Sequence, residues 1–480
     1  MHKALKSYPA ILLFFLVYAS LSLINLDSLP VAWTDEVLNL DPAVQYIQNG
    51  EYTSKLWPNP NCDILFASYL PAIQWFQTAY LTFLPIEIFW VRLPFAFLIW
   101  GSLFLTYRFI RKNTPLNDLW STVWVAIAFL DKSVFELSRS MRVEPLLIFG
   151  TLLLFSISPK RKLCAIKALI IGYLAMAHIY VWPFLFIWFI TDWLRLNPQQ
   201  KFLQTLLILA APIAFLASVH FDISIITEQM GFHAQHHTLT QTDLPHNPII
   251  NSLWYRFYPF YLEQPLNPFV FFALIIIILT LFIKQKMWRK PDSWTYGAWL
   301  LGILLIFGVM TPQYRYLPIF WIIGILLVLS SKRIHVQTPF LKIASLLLAL
   351  NGFASFAGRH TAALLQTQAR SPEGVHDFLR KNLKSDQNTT TLLLGESIGF
   401  YHAHRGRNHQ RFDYGIDFYP QHFDWNNYDK VVLLTHDLRP QDSLIATYES
   451  LPEKWKTPQI MQAFAKGGTY NGMRLYLLKP

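Results

Sequence analysis

Eleven apolar stretches recur along the chain, at about residues 8–26, 89–109, 116–135, 145–158, 163–179, 181–194, 202–219, 268–283, 294–310, 316–330 and 340–357. Each is long enough, or nearly so, to cross about 30 Å of hydrocarbon. Lipid offers backbone groups no hydrogen bonds, so such a chain folds as helices that satisfy their own N–H and C=O groups. Composition agrees. Of 480 residues, 53% are hydrophobic, 16% aromatic and only 14% charged, which fits a polytopic membrane protein rather than a soluble domain. The net charge of +11 does not point to nucleic acid, because Lys and Arg fall in short clusters between apolar runs, as topology signals beside anionic lipid do. Membrane lipids are the expected surroundings, and nucleic acid is discounted as a partner.

Residues 68–84 decide the topology. They are apolar enough to span, yet they carry Gln74, Gln77 and Thr78 between Pro71 and Pro85. If they crossed, every later loop would change side. The basic clusters Arg108/Arg111/Lys112, Lys160/Arg161/Lys162, Arg195/Lys201, Lys284/Lys286/Arg289/Lys290 and Lys332/Arg333 share the cytoplasmic side with Lys3 and Lys6 only if they do not. The segment is therefore expected as an interfacial helix inside one long extracytoplasmic loop, residues 27–88. Residues 136–144, the His-rich loop 220–267, the turn 311–315 and everything after residue 357 then also lie outside. The basic start and apolar run of residues 1–26 could pass for a signal peptide, but its length suits an uncleaved first span.

From residue 358 charged residues become frequent. A helix is expected after Ser371-Pro372-Glu373, with Pro in the first turn. Strand-like runs stand at 391–394, 431–435 and 475–478. The division is thus a transmembrane domain over 1–357 and a small extracytoplasmic α/β domain over 358–480, of a size that can hold a core. The two cysteines, Cys62 and Cys164, fall on opposite sides of the membrane in this topology and cannot pair within a chain.

On the outer face charged residues gather: Asp35, Glu36 and Asp41 after the first span, Arg92 at the start of the second, Arg139, Arg142 and Glu144 in the next outer loop, and Arg315 at the last outer turn. A carboxylate at the membrane boundary needs water, a cation or a function. Carboxylates serve as general bases toward hydroxyls, and Arg binds phosphate bidentately without losing its charge. A lipid-linked phosphate substrate would require both. Each residue also has a plainer explanation. Asp35 and Glu36 can cap the amphipathic helix expected over 37–48, Arg139 and Arg142 can anchor a helix end at headgroups, and Glu144 can complement a helix dipole. His233, His236, His237 and His246 lack a second ligand motif; no cofactor is called for, and a divalent cation is left open.

The ordered set Trp33-Thr34-Asp35-Glu36, Gly50-Glu51-Tyr52, Val91-Arg92-Leu93-Pro94, Ser138 to Pro145 (S-R-S-M-R-V-E-P) and Arg315-Tyr316-Leu317-Pro318 resembles membrane glycosyltransferases of the GT-C fold. The similar branch contains protein O-mannosyltransferases and lipid A aminoarabinose transferases. It covers the membrane half of the chain. The resemblance implies about 11 transmembrane helices, a first extracytoplasmic loop with interfacial helices, and transfer of a sugar from a polyprenyl-phosphate carrier to an acceptor hydroxyl with inversion. The acceptor would be a lipid, a polysaccharide or a protein. Asp35 would take the acceptor proton and Glu36 would orient it or bind sugar. Arg92 and Arg315 would neutralise the departing phosphate, with Arg139, Arg142, Glu144 and Tyr316 as further substrate-binding positions. Glu144 stands where the family has Asp, and Tyr69-Leu70-Pro71 stands near the place of the family's Pro-Pro-Leu. The expected home is a bacterial inner membrane, N-terminus cytoplasmic and C-terminal domain periplasmic. A transporter or flippase of a lipid-linked saccharide is the alternative, although no inverted repeat or interrupted helix marks one.

Overall fold

In the computed structural model the described residues run from 8 to 479. Residues 1–7, 158–163, 240–263, 285–293, 309–316, 332–337, 366–369, 384–388, 406–411, 416–423, 438–442 and 450–469, with the single positions 29, 58, 265, 471 and 480, lie outside them. Every one of the eleven apolar stretches holds a helix. In chain order the described helices are α1 (Pro9–Leu23), α2 (Thr34–Asn49), α3 (Ala72–Leu81), α4 (Ile88–Asn113), α5 (Asp118–Phe129), α6 (Lys132–Leu137), α7 (Glu144–Ser156), α8 (Cys164–Ala175), α9 (Trp182–Trp193) and α10 (Pro198–Ser218). They continue with α11 (Ile223–Leu239), α12 (Leu266–Lys284), α13 (Trp294–Gly308), α14 (Leu317–Leu329), α15 (Pro339–Leu365), α16 (Pro372–Leu383) and α17 (Ile398–His404).

Four of these, α4, α10, α12 and the stretch Leu341–Gly358 of α15, are long and apolar enough to cross a membrane. The chain is a mostly helical membrane protein with a small sheet domain near its C-terminus. The long helices keep much of their surface apolar and exposed, as a bundle bathed in acyl chains does. At the other extreme α14 is buried at every position, as expected of a helix that is hydrophobic all round, and it packs on α4, α7, α12 and α13.

Residues 68–84 fold into α3, only ten residues long. At 1.5 Å per residue it reaches about half way through a hydrocarbon core, and it lies against α2. Two boundaries differ from expectation. The third apolar stretch breaks at Asp131, whose carboxylate accepts the Ser133 and Val134 N–H groups and so starts α6 as a fresh helix. The helix of 340–357 continues past Gly358 to Leu365, so the sequence change at 358 falls inside a helix. Two strands were not legible in the sequence.

The sheet contains β1 (Thr391–Gly395), β2 (Phe412–Gly415), β3 (Lys430–Thr435), β4 (Leu444–Thr447) and β5 (Arg474–Lys479), in the order β2-β1-β3-β5-β4. Strands β2, β1 and β3 are parallel; β5 is antiparallel to β3 and β4. Side chains alternate as a pleated strand requires. Leu393, Val432 and Leu434 join the large core shared with the membrane helices, while Leu392, Leu394, Val431 and Leu433 make a smaller core on the other face with Tyr476. The C-terminal domain is thus continuous in its packing with the helical part.

Two features generate predictions. At Gly172 in α8 a Cβ would meet the Ile208 carbonyl oxygen of α10 at 2.6 Å. Backbone cannot yield there as a flexible side chain would, so Gly172→Leu should destabilise by about 1–3 kcal/mol, read as a lowered melting temperature of the detergent-solubilised protein. In the C-terminal domain His376 and His402 are buried and stacked, Nδ1 to Nδ1 at 3.2 Å. Burial, then His402, Arg405 and Arg380, push His376 down to about 3. Burial, then Arg380 and Arg405, push His402 down to about 4. Arg405 is itself held by Glu373 and approaches Glu87. Neutral histidines in the folded state against an unfolded value near 6.5 mean that the unfolded chain binds more protons below it. The pair's stabilisation is complete above about pH 6.5 and is lost as pH falls toward 4 and 3. A melting series over that range should show the decline, and His376→Phe/His402→Phe should flatten it.

Candidate active site

The loop after α1 is held by one buried ion pair. Arg92, on the first turns of α4, donates Nε to Glu36 Oε1 at 3.0 Å and Nη2 to Oε2 at 2.6 Å. Its remaining donors go to the carbonyls of Leu26, Pro30 and Val31. Glu36 Oε1 also accepts the Met141 N–H at 2.9 Å. Both side chains are fully buried. A single guanidinium therefore fixes the entry to α2, and the carboxylate it holds reaches on to the loop before α7. Guanidinium suits this because its five donors lie in one rigid plane.

Arg139 does a related job on α1. Its Nη1 donates to Leu21 and Ser22 carbonyls and its Nη2 to those of Ile24 and Asn25, at 2.6–3.2 Å. These are the carbonyls a helix end leaves without intrahelical partners. Asn25 there has φ 54°. The first span thus ends in a buried guanidinium rather than in water.

Arg142 lies three residues on and faces the other acids. It forms a two-pronged pair with Glu144, Nε to Oε2 at 3.0 Å and Nη2 to Oε1 at 3.1 Å. Its Nη1 reaches Asp35 Oδ2 at 3.3 Å. The guanidinium also stands 4.8 Å from the centre of the Trp33 ring, within cation–π range. Asp35 is the open member of the group: its side chain is 39% exposed, against 0% for Glu36. Adjacent residues on a helix point about 100° apart, so one acid of the Asp-Glu pair enters the core and the other faces out.

Asp41, the third acid of the loop, is buried inside it. It accepts the Ser54 hydroxyl at 2.5 Å, the Gln45 amide and the Lys55 N–H, and burial raises its pKa against the lowering pull of Ser54 and Gln45. Gly50, at φ 83°, ends α2 in the left-handed region and donates to the Tyr46 carbonyl. That is where glycine is favoured, which gives the Gly50-Glu51-Tyr52 motif a structural cause.

The structure thus brings together Asp35, Glu36, Arg92, Arg139, Arg142 and Glu144. Arg315 and Tyr316 lie outside the described residues, as do His236, His237, His246 and the side chain of His233. Among the described residues no three His, Cys, Asp or Glu side chains cluster as metal ligands would. Sequence reasoning missed the contribution of the C-terminal domain. Tyr470 accepts the Ala32 N–H at 3.1 Å across 438 positions. Lys55 pairs with Asp413 at 3.0 Å, and Arg405 approaches Glu87 at 3.8 Å. Tyr401, fully buried, faces the Glu36–Arg92 pair electrostatically. No local pattern marks contacts made at such separations.

No protein-family model matches the chain, and no curated protein matches it.

Removing one member of the central pair leaves the other charged and buried, which typically costs about 3–5 kcal/mol. Glu36→Gln and Arg92→Met should each lower the melting temperature sharply, with Glu36→Gln/Arg92→Met costing less than the sum of the two. Additive losses would mean that the pair is not one coupled unit.

Proposed function

We propose that the protein is an inverting glycosyltransferase that moves a sugar from a polyprenyl-phosphate carrier to an acceptor hydroxyl at the outer membrane face. The observation that carries this reading is the division between the two neighbouring acids, Glu36 sealed on Arg92 and Asp35 open beside Arg142. A base must reach its substrate. Asp35 takes the acceptor proton as the hydroxyl oxygen attacks the anomeric carbon; the bond to the carrier phosphate breaks, and the phosphate leaves with the electron pair. The sugar passes through an oxocarbenium-like state. Glu36 orients Asp35 through the shared first turn of α2.

Arg142, held flat by Glu144 and Trp33, is the guanidinium placed to stabilise charge on the departing phosphate, with Arg315 and Tyr316 as partners from the turn before α14. Arg92 and Arg139 support the site from within, since their hydrogen bonds go to Glu36 and to backbone carbonyls. The same reading gives the chain eleven crossings, a cytoplasmic N-terminus, an extracytoplasmic C-terminal domain and a place in a bacterial inner membrane. It resembles the GT-C branch named above on these same residues.

Purified protein in detergent, given carrier-linked sugar and acceptor, should release polyprenyl phosphate with no two-sided membrane present, which a transporter would not do. Asp35→Asn should lower transfer by about 10²–10⁴-fold, the usual scale for a general base, with normal membrane insertion. Full activity in that variant would overturn the assignment.

A further inference from the structure

The C-terminal sheet has its own topological switch point. From the carboxyl end of β1 the chain passes through α17 to β2 on one side; from the carboxyl end of β3, the neighbour of β1 on its other side, it goes on to β4 beyond β5. In parallel α/β sheets the crevice outside two carboxyl ends whose connections leave in opposite directions, here those of β1 and β3, is where ligands bind. The residues there are polar. Glu396 follows β1 and His436 follows β3, with Nδ1 of the imidazole 2.9 Å from Glu396 Oε1. Their side chains are 37% and 41% exposed. Arg474, which opens β5 and pairs with Thr435 at the end of β3, donates Nη1 to the His436 carbonyl at 2.8 Å.

The same edge of the sheet touches the loop of the candidate active site. Tyr470 lies four residues before β5, and its hydroxyl accepts the N–H of Ala32, three residues ahead of Asp35. The edge carrying Glu396, His436 and Arg474 is therefore tied to the segment that carries the proposed base.

We infer that this crevice binds a neutral saccharide and serves as the acceptor subsite, with Glu396 and Arg474 as its principal contacts. A carboxylate accepts from, and a guanidinium donates to, neighbouring hydroxyls of one sugar ring. One negative and one positive group, both bonded to His436, suit an uncharged polyol better than a phosphate, which would meet Glu396 as a like charge. The name of acceptor rests on the transferase reading; the binding itself does not.

The test is binding of the full-length protein in detergent to an array of defined neutral and acidic oligosaccharides. Wild type should retain neutral oligosaccharides, while Arg474→Ala and Glu396→Gln should weaken binding by about tenfold or more, ~1.4 kcal/mol, at unchanged melting temperature. Should Arg474→Ala fail to fold, Glu396→Gln decides, because it keeps the shape of the side chain. No oligosaccharide bound by wild type, only acidic ones bound, or undiminished binding in the folded variants would each overturn the proposal. Failure of the wild-type protein to release polyprenyl phosphate from carrier-linked sugar and acceptor would overturn the transferase reading and leave the binding result standing.

Discussion

The Glu36–Arg92 pair is the contact on which the outer half of the molecule depends. Burying two charges costs several kcal/mol per ion, and their attraction repays it only when every remaining donor and acceptor is satisfied. Here that condition is met by backbone: three carbonyls of the chain between α1 and α2 receive Arg92, and the Met141 N–H completes Glu36. The pair therefore does more than join two helices. It gathers the exit of α1, the start of α2, the start of α4 and the approach to α7 at one point. A hydrophobic substitute would fill the space but would leave those carbonyls and that N–H without partners.

This arrangement explains why three arginines so close in sequence motif behave so differently. Arg92 and Arg139 have backbone carbonyls to satisfy, those of a tight connection and those of a helix end, and both lie buried. Arg142 instead meets side chains, and through Asp35 it touches the one acid with substantial exposure. Glu144 begins α7, so its carboxylate complements the helix dipole and fixes Arg142 at once. The plain explanation for Glu144 and the functional one are the same contact seen from two ends.

Much of the fold was legible because lipid leaves few choices. Apolar runs of span length had to be helices, and the side preference of Lys and Arg kept residues 68–84, which form the ten-residue α3, from being read as a crossing. The acids and arginines of the site were legible as a group because charge is costly there. Their roles were not. Sequence cannot say that Glu36 rather than Asp35 meets Arg92, since that follows from the phase of α2 against α4. Nor could it give β2 and β4, four residues each, too short to show a period, or the bond from Tyr470 to Ala32, which closes a loop of more than 400 residues. The apolar run Thr391-Leu392-Leu393-Leu394, by contrast, announced β1, and in the fold its leucines divide between two cores.

Where the polar groups are absent matters as much as where they cluster. A path for a lipid-linked saccharide through the bundle would need polar side chains facing one another at successive depths. The helix at the centre, α14, is instead Leu, Ile, Phe, Trp, Val, Gly and Pro along its whole length and buried at each position. Trp299 of α13 closes on it, its indole N–H donating to the Phe320 carbonyl. A further buried ion pair, Lys167–Asp192 at 2.7 Å, joins α8 to α9. Along α14, then, the described residues give a polar headgroup nothing to exchange its water for, whereas the Asp35–Arg142 edge carries a carboxylate and a guanidinium. On the proposed reading, that distribution weighs for chemistry beside Asp35 over passage along α14.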